Sequence, residues 1–140
     1  MDNSERIEAI RDFGAVPTSP RPLWASMLRG ARGKCPNCGE GALFQRYLGV
    51  KASCERCGEA LHHHRADDLP VYLNIFLTGH AAIGLVMLVM DSELLPLWAF
   101  TLLTMGAAVT VSIALMRPLK GLVIGAQWAL LMHGFGGHDD

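Results

Sequence analysis

The chain has 140 residues, of which 51% are hydrophobic, and its formal net charge is -1 at pH 7. That balance gives no argument for nucleic acid as a partner. The average hides a division, because the first half carries most of the charge whereas residues 70–116 are almost purely apolar. We therefore expect a small metal-binding domain joined to a membrane segment rather than one soluble domain.

We expect residues 1–34 to form an N-terminal tail followed by a basic amphipathic segment that precedes the first cysteine. From Leu23 to Lys34, the apolar residues share one face of a predicted helix, with basic side chains beside it. A basic amphipathic helix that carries a tryptophan, here Trp24, is typical of a membrane interface. The alternative is a helix packed on the domain that follows, and the sequence leaves both open.

All four cysteines fall within residues 35–60, as two Cys-x-x-Cys pairs: Cys35, Cys38, Cys54 and Cys57. This spacing is typical of a zinc ribbon. Four thiolates satisfy the tetrahedral preference of Zn²⁺ and leave no open coordination position, so a structural Zn²⁺ is expected. Gly39 and Gly58 follow the pairs, where a left-handed backbone favours glycine. The spacer between the pairs predicts a β-hairpin. Two disulfides or a redox dithiol form the alternative.

Residues 61–69 form a polar connector just before the first apolar segment. Its candidate ligands are His62, His63, His64, Asp67 and Asp68. One interpretation is a second metal site or a proton-handling site. The alternative is a solvated linker at the lipid headgroups, because clusters of histidine and carboxylate are commonly solvated.

Residues 70–116 predict a helical transmembrane hairpin, with spans at 70–90 and 96–116. Each is long enough to cross a hydrocarbon core of about 30 Å. The acidic turn between them, with Asp91 and Glu93, makes the spans antiparallel. All twelve Lys and Arg residues lie outside the hairpin and none in the turn. By the positive-inside rule, both termini and the ribbon are expected in the cytoplasm, where thiols stay reduced and free for zinc.

The second span carries a stripe of small and hydroxyl-bearing residues at helical spacing: Thr101, Thr104, Ala108 and Ser112. We expect this stripe to pack against the first span. His80 lies near the middle of the first span, where an ionisable group tends to face protein or water. It is interpreted as a metal or haem ligand, as a contact to a partner protein, or as a neutral histidine satisfied inside the hairpin by Thr104 or Asn74.

Residues 117–140 are predicted to form an interfacial helix and a disordered tail. The apolar segment 122–132 is too short to span a bilayer. Trp128 would suit a position at the membrane interface.

The motifs together resemble a family of small bacterial membrane proteins, the domain of unknown function 983. The matching pieces are Arg21-Pro22-Leu23-Trp24, Cys35-Pro36-x-Cys38-Gly39-Glu40-Gly41, Cys54-x-x-Cys57-Gly58, His63-His64-Arg65-Ala66-Asp67-Asp68, Gly79-His80, Arg117-Pro118-x-Lys120-Gly121, Gln127-Trp128-Ala129 and Met132-His133-Gly134-Phe135. The resemblance implies a zinc-ribbon protein of the bacterial inner membrane. Family members are often encoded beside cytochrome oxidase subunits and assembly factors, which implies a role near the terminal oxidase.

The leading functional hypothesis is a membrane adaptor, acting as an accessory subunit or assembly factor of a respiratory oxidase. Its partners would be the lipid bilayer and another inner-membrane protein. The alternative is metal or haem handling, in which the connector and His80 bind copper or haem. A third, less favoured hypothesis is a membrane-tethered regulator that binds nucleic acid. We expect no enzymatic activity, because the sequence shows no nucleophile beside a base and no phosphate-binding loop.

Overall fold

The computed structural model describes residues 21–89 and 96–135 of the chain. Within these ranges the chain forms three helices, α1 at Leu23–Ala31, α2 at Leu69–Val89 and α3 at Leu97–Ala129. Three predicted features lie outside the described residues: most of the N-terminal tail, the acidic turn with Asp91 and Glu93, and the last residues of the C-terminal tail.

Helices α2 and α3 pack against each other as an antiparallel hairpin. The amide of Asn74, 2% exposed, donates to Ser112 Oγ at 2.7 Å and to the Ser112 carbonyl at 3.2 Å. Thr104 and Ala108 line the groove between the helices, whereas Thr101 is exposed and bonds to its own helix. The predicted contact is therefore confirmed for three of the four stripe residues.

The outer surfaces of α2 and α3 are apolar. Large side chains such as Ile75 and Leu88 on α2 and Leu97 on α3 are well exposed. Both helices are long and apolar enough to cross a membrane, and hardly any of either apolar stretch is buried within the chain. A core helix of a soluble domain would be buried, so these surfaces support a membrane-associated hairpin.

Helix α3 does not end where the second span was predicted to end, at Met116. It continues through Pro118 as one helix of 33 residues. An interior proline removes one backbone hydrogen bond and typically costs about 3 kcal/mol. The cost is offset by burial of the residues beyond the proline. The Tyr47 hydroxyl also donates to the Ile113 carbonyl, which lies just before Pro118 on the same helix.

The C-terminal third of α3 is the central element of the metal-binding domain. Val123, Ile124 and Trp128 are at most 5% exposed. They belong to one apolar core with seven other residues: Cys35, Leu43, Phe44, Cys54, Leu61, Ala66 and Phe135. The prediction of a separate interfacial helix over residues 122–132 is therefore wrong, because the segment continues α3 and its residues 123–128 are largely buried by the rest of the chain.

Helix α1 crosses α3 through small residues. Ser26 and Gly30 are buried, and a Cβ atom added at Gly30 or at Gly121 would overlap the other glycine's carbonyl group. A Cβ at Gly125 would likewise meet the Ser26 backbone. The predicted apolar face points elsewhere, since Trp24 is 75% exposed. Helix α1 therefore packs on α3 by its small-residue face, and the position of its exposed apolar face at the membrane interface stays a prediction.

The described residues contain no β-strand, so the predicted β-hairpin ribbon is not confirmed. Three isolated antiparallel bridges occur instead, Lys34–Ala42, Phe44–Val50 and Ser53–Ala60. The spacer does reverse direction, with the Gln45 N–H donating to the Gly49 carbonyl at 2.9 Å. The Leu43 N–H donates to the Gly33 carbonyl, and the Leu43 carbonyl accepts from the Lys51 N–H, so this segment bonds to two neighbours through single bridges.

We expect Asn74→Ala to destabilise the hairpin by about 1 kcal/mol, the usual size of an interhelical hydrogen bond in a membrane. The substitution removes the hydrogen bonds that Asn74 donates to Ser112. It also removes the Asn74 oxygen that accepts a hydrogen bond from the Thr78 hydroxyl. Reversible unfolding in mixed micelles measures the change. Thr101→Ala is the matched control, because Thr101 bonds only to its own helix. Equal losses in both variants would contradict the assignment.

Candidate metal centre

The two Cys-x-x-Cys pairs form equivalent knuckles. In each, the glycine after the second cysteine donates its N–H to the carbonyl of the first cysteine, from Gly39 to Cys35 and from Gly58 to Cys54, at 2.9 Å. Both glycines adopt the left-handed conformation, with φ of 73° and 74°. The predicted backbone is confirmed, and it turns each pair of sulfurs toward one point.

The four sulfurs of Cys35, Cys38, Cys54 and Cys57 lie within 4.8 Å of one another. Two pairs across the knuckles, Cys35–Cys57 and Cys38–Cys54, are 3.8 Å apart. Zn–S bonds of about 2.3 Å give a tetrahedron whose edges are about 3.8 Å, so the cluster has the size that zinc requires. All four cysteines are free thiols rather than disulfides.

The thiols differ in their tendency to ionise. Backbone N–H groups of Gly41 and Glu40 lower the pKa of Cys38 to about 6. Burial raises the pKa of the Cys35 and Cys57 thiols. Cys38 therefore ionises more readily than Cys35 and Cys57, whose ionised forms a bound cation would favour. A divalent metal ion supplies that charge.

Side chains from two helices hold the knuckles in place. Arg29 of α1 donates to the Asn37 carbonyl at 2.7 Å and to the Pro36 carbonyl at 3.2 Å. Glu59 accepts from Asn37 Nδ2 at 2.9 Å and from Trp128 Nε1 of α3 at 2.8 Å. The carboxylate of Glu59 thus joins both knuckles to the buried end of α3, which sequence reasoning did not foresee.

The connector is clamped to α3 by Gln127. Its Oε1 accepts from the Arg65 N–H at 3.1 Å, and its Nε2 donates to the Arg65 carbonyl at 3.0 Å. Gln127 is almost fully buried. A buried amide that satisfies both backbone groups of one residue fixes the connector in place. The signal in the sequence was a lone amide within an otherwise apolar segment.

We expect Gln127→Glu to destabilise the protein by about 3 kcal/mol, because it removes the donor to the Arg65 carbonyl and buries an acceptor against it. Thermal unfolding in detergent, followed by circular dichroism, measures the loss. Gln45→Glu is the matched control, since the exposed Gln45 amide makes only a 3.5 Å contact. If both variants unfold at the same temperature as the wild type, the hydrogen bonds between Gln127 and Arg65 do not stabilise the protein.

The histidines of the connector line a cavity of about 700 Å³. Its lining consists of His62, His63, His64, Arg65, Asp67, His133 and Gly134. His133 was not among the predicted ligands, and no local pattern could connect it to a segment about seventy residues earlier. Within the described part of the chain, only the four cysteines bring three or more ligand atoms within 4.8 Å of one another.

His80 lies apart from this cavity, on the exposed surface of α2. Eleven residues of helix separate it from Leu69, which corresponds to about 16 Å. Its Nδ1 donates to the Phe76 carbonyl at 2.8 Å, and its ring packs on Phe76. Asn74 and Thr104 bond elsewhere. The histidine is therefore satisfied within its own helix, not by these two residues, and it cannot share an ion with the connector.

Residues 44–128, more than half of the chain, match the family model described as "Protein of unknown function (DUF983)". The chain belongs to the DUF983 family. The match confirms the resemblance drawn from the sequence motifs. Comparison with curated proteins and with solved structures gave no match.

The DUF983 match begins after the first knuckle. It includes Cys54 and Cys57, the connector and the hairpin, and it ends at Trp128. The matched region therefore covers most of α3, including the part that lies inside the metal domain. Cys35 and Cys38 lie before the match and His133 lies after it.

Proposed function

We propose that this DUF983 protein is a non-enzymatic membrane adaptor with a structural Zn²⁺ in a ribbon-like knot. The observation that carries the proposal is the continuity of α3, which passes from the hairpin into the core beside the cysteines. A four-thiolate zinc centre is closed to substrate. The centre therefore acts as a scaffold that fixes a polar domain at a set position on the membrane.

The proposed location is the bacterial inner membrane, with both termini and the metal domain in the cytoplasm. Two observations support it. The spans are apolar and exposed, and every Lys and Arg lies outside residues 70–116, as the positive-inside rule requires for cytoplasmic segments. The four free thiols also suit a reducing compartment.

The proposed partner is a membrane subunit of a respiratory terminal oxidase, during assembly or as an accessory contact. Family membership supports this, because the resemblance implies genes beside those of the oxidase. The contact surface would be the outer face of α2 around Phe76, His80 and Gly84. A Cβ at Gly84 would meet nothing within 4 Å, so a partner helix has room to approach closely. The His80 imidazole can then form a hydrogen bond across the contact.

Affinity purification from native membranes in mild detergent tests this proposal. We expect oxidase subunits to co-purify with the wild-type protein, and Gly84→Leu to lower their recovery about tenfold, the effect of 1.4 kcal/mol. Gly106→Leu is the matched control, because Gly106 is an equally open helical glycine on α3. Recovery of this protein without any oxidase subunit, or equal recovery with both variants, would count against the adaptor role.

Metal or haem handling is the second candidate, and the cavity beside the connector is the observation that favours it. The lining is mainly imidazole and charged groups, whereas cofactor pockets are mostly apolar. This composition suits a metal ion such as copper better than haem. Because His80 lies far from the cavity, it would not belong to that site.

Nucleic-acid binding has less support from the basic side chains. Arg29 bonds to the first knuckle, Arg21 bonds to the Trp128 carbonyl and lies over its ring, and Arg117 lies over Phe44. These three guanidinium groups are used within the chain, so only the remaining basic residues could contact phosphate. Among the described residues, the exposed ones are Arg32, Lys34, Arg46, Arg56 and Arg65.

A further inference from the structure

His133 is a histidine that the adaptor role does not use. Its backbone is left-handed, with φ of 52°, and Gly134 follows with φ of 87°. This turn after α3 folds the imidazole back against the connector, where it lines the cavity. Its Nδ1 is buried and has no hydrogen-bond partner among the described residues. An unpaired buried nitrogen is unfavourable, and a ligand would offset it once the imidazole rotates to present that nitrogen to the cavity.

His64 faces the same cavity with its tautomer set. Its Nδ1 lies 2.8 Å from the Leu61 carbonyl, and since a carbonyl oxygen only accepts, Nδ1 carries the proton. Nε2 is then the nitrogen with the free lone pair. Metal-binding histidines are typically oriented in this way, by a bond from the other ring nitrogen to a backbone carbonyl.

The cavity offers two kinds of metal ligand, imidazole and carboxylate, and several transition metals bind both. Imidazoles are provided by His64 and His133, and the exposed carboxylate of Asp67 lines the same cavity. Imidazole suits zinc, copper, iron and nickel, and carboxylate adds negative charge. Gln127 holds the connector on the end of α3, so the two halves of the cavity are fixed relative to each other.

We propose that this cavity, on which the second candidate function rests, binds one divalent transition-metal ion through His64, His133 and Asp67, separately from the four cysteines. The cavity is much wider than a bare ion, and its ligand atoms are not gathered as the sulfurs are. The ion therefore binds after side-chain rotation and keeps water in its remaining positions. Such a site is open and exchangeable, in contrast to the closed thiolate centre.

Cobalt titration of the full chain in detergent, loaded with one zinc per chain, tests the proposal. Cobalt bound by imidazole and carboxylate lacks the thiolate charge-transfer absorption that cobalt in the cysteine centre would show. We expect one cobalt beyond the retained zinc, without that absorption. His64→Ala, His133→Ala and Asp67→Asn should each weaken cobalt binding at least tenfold, and His80→Ala should leave it unchanged.

Absence of cobalt binding by the wild-type chain would overturn the proposal, as would binding that all three substitutions leave intact. Binding of inorganic phosphate but not of cobalt would also overturn it and would assign the cavity, through Arg65, to anions. If His133→Ala loses its zinc, the variant is misfolded and its cobalt binding is not informative. The exposed Asp67→Asn variant then tests whether the cavity binds cobalt. Zinc content and oxidase recovery are measured independently, so failure here is distinguishable from failure of the adaptor role.

Discussion

Cys54→Ser is expected to release the metal ion and unfold the metal-binding domain. Cys54 is 2% exposed and its sulfur lies 3.8 Å from that of Cys38, so serine would remove one of four converging thiolates from the core. Metal binding by such small modules contributes about 10 kcal/mol or more of folding free energy. Zinc content per chain, together with limited proteolysis of residues 34–66, measures the loss.

Lys51→Ala is the control for Cys54→Ser. Lys51 lies in the same domain and pairs with the exposed Glu55 at 2.7 Å. Surface ion pairs contribute at most about 1 kcal/mol, so this variant should keep its zinc and its resistance to proteolysis. If Cys54→Ser also retained one zinc and full resistance, the domain would be stabilised by its apolar core rather than by metal.

Gly121→Ala is expected to destabilise the contact between α1 and α3 by about 3 kcal/mol, the upper range for overpacking. The added Cβ would overlap the Gly30 carbonyl, which is backbone and cannot rotate away. The two helices would have to separate, and the bonds from Arg29 to the first knuckle would lengthen or break. Unfolding in detergent measures the stability, and cleavage near residue 32 reports the release of α1.

Gly106→Ala provides the comparison on the same helix. A Cβ at Gly106 meets nothing within 4 Å, and alanine favours a helix over glycine by about 1 kcal/mol. This variant should therefore be as stable as the wild type or slightly more stable. Should Gly121→Ala behave in the same way, the close crossing of α1 and α3 would not exist in the protein.

The metal centre was predictable because its chemistry is local. Two Cys-x-x-Cys pairs, each followed by glycine, specify the knuckles from the requirements of the ion and of the left-handed backbone. The pairing of the two apolar helices was predictable for a similar reason, since the hydroxyl-bearing stripe on α3 repeats at helical spacing. In both cases a short pattern is sufficient to define the contact.

The course of α3 was not predictable from local rules. Proline normally ends a helix, and the second span was predicted to end at Met116. The structure overrides it because Val123, Ile124 and Trp128 gain burial only if the helix continues. That gain depends on residues from the knuckles and the connector, which no local pattern places beside α3.

The face by which α1 packs on α3 was not predicted, because apolar periodicity weighs side-chain size. Trp24 and Leu28 dominate that pattern, yet both are exposed. The buried face consists of Ser26 and Gly30, whose small side chains let the backbones touch. The contribution of His133 to the connector cavity was missed for another reason, since a turn with positive φ brings it there and sequence distance conceals it.

The most direct test of a closed zinc scaffold is zinc X-ray absorption on protein purified from native membranes, with metal content measured on the same sample. We expect one zinc per chain, bound by four sulfurs at about 2.3 Å. A zinc shell that contains nitrogen or oxygen in place of sulfur would contradict the account, as would protein whose four cysteines hold no zinc.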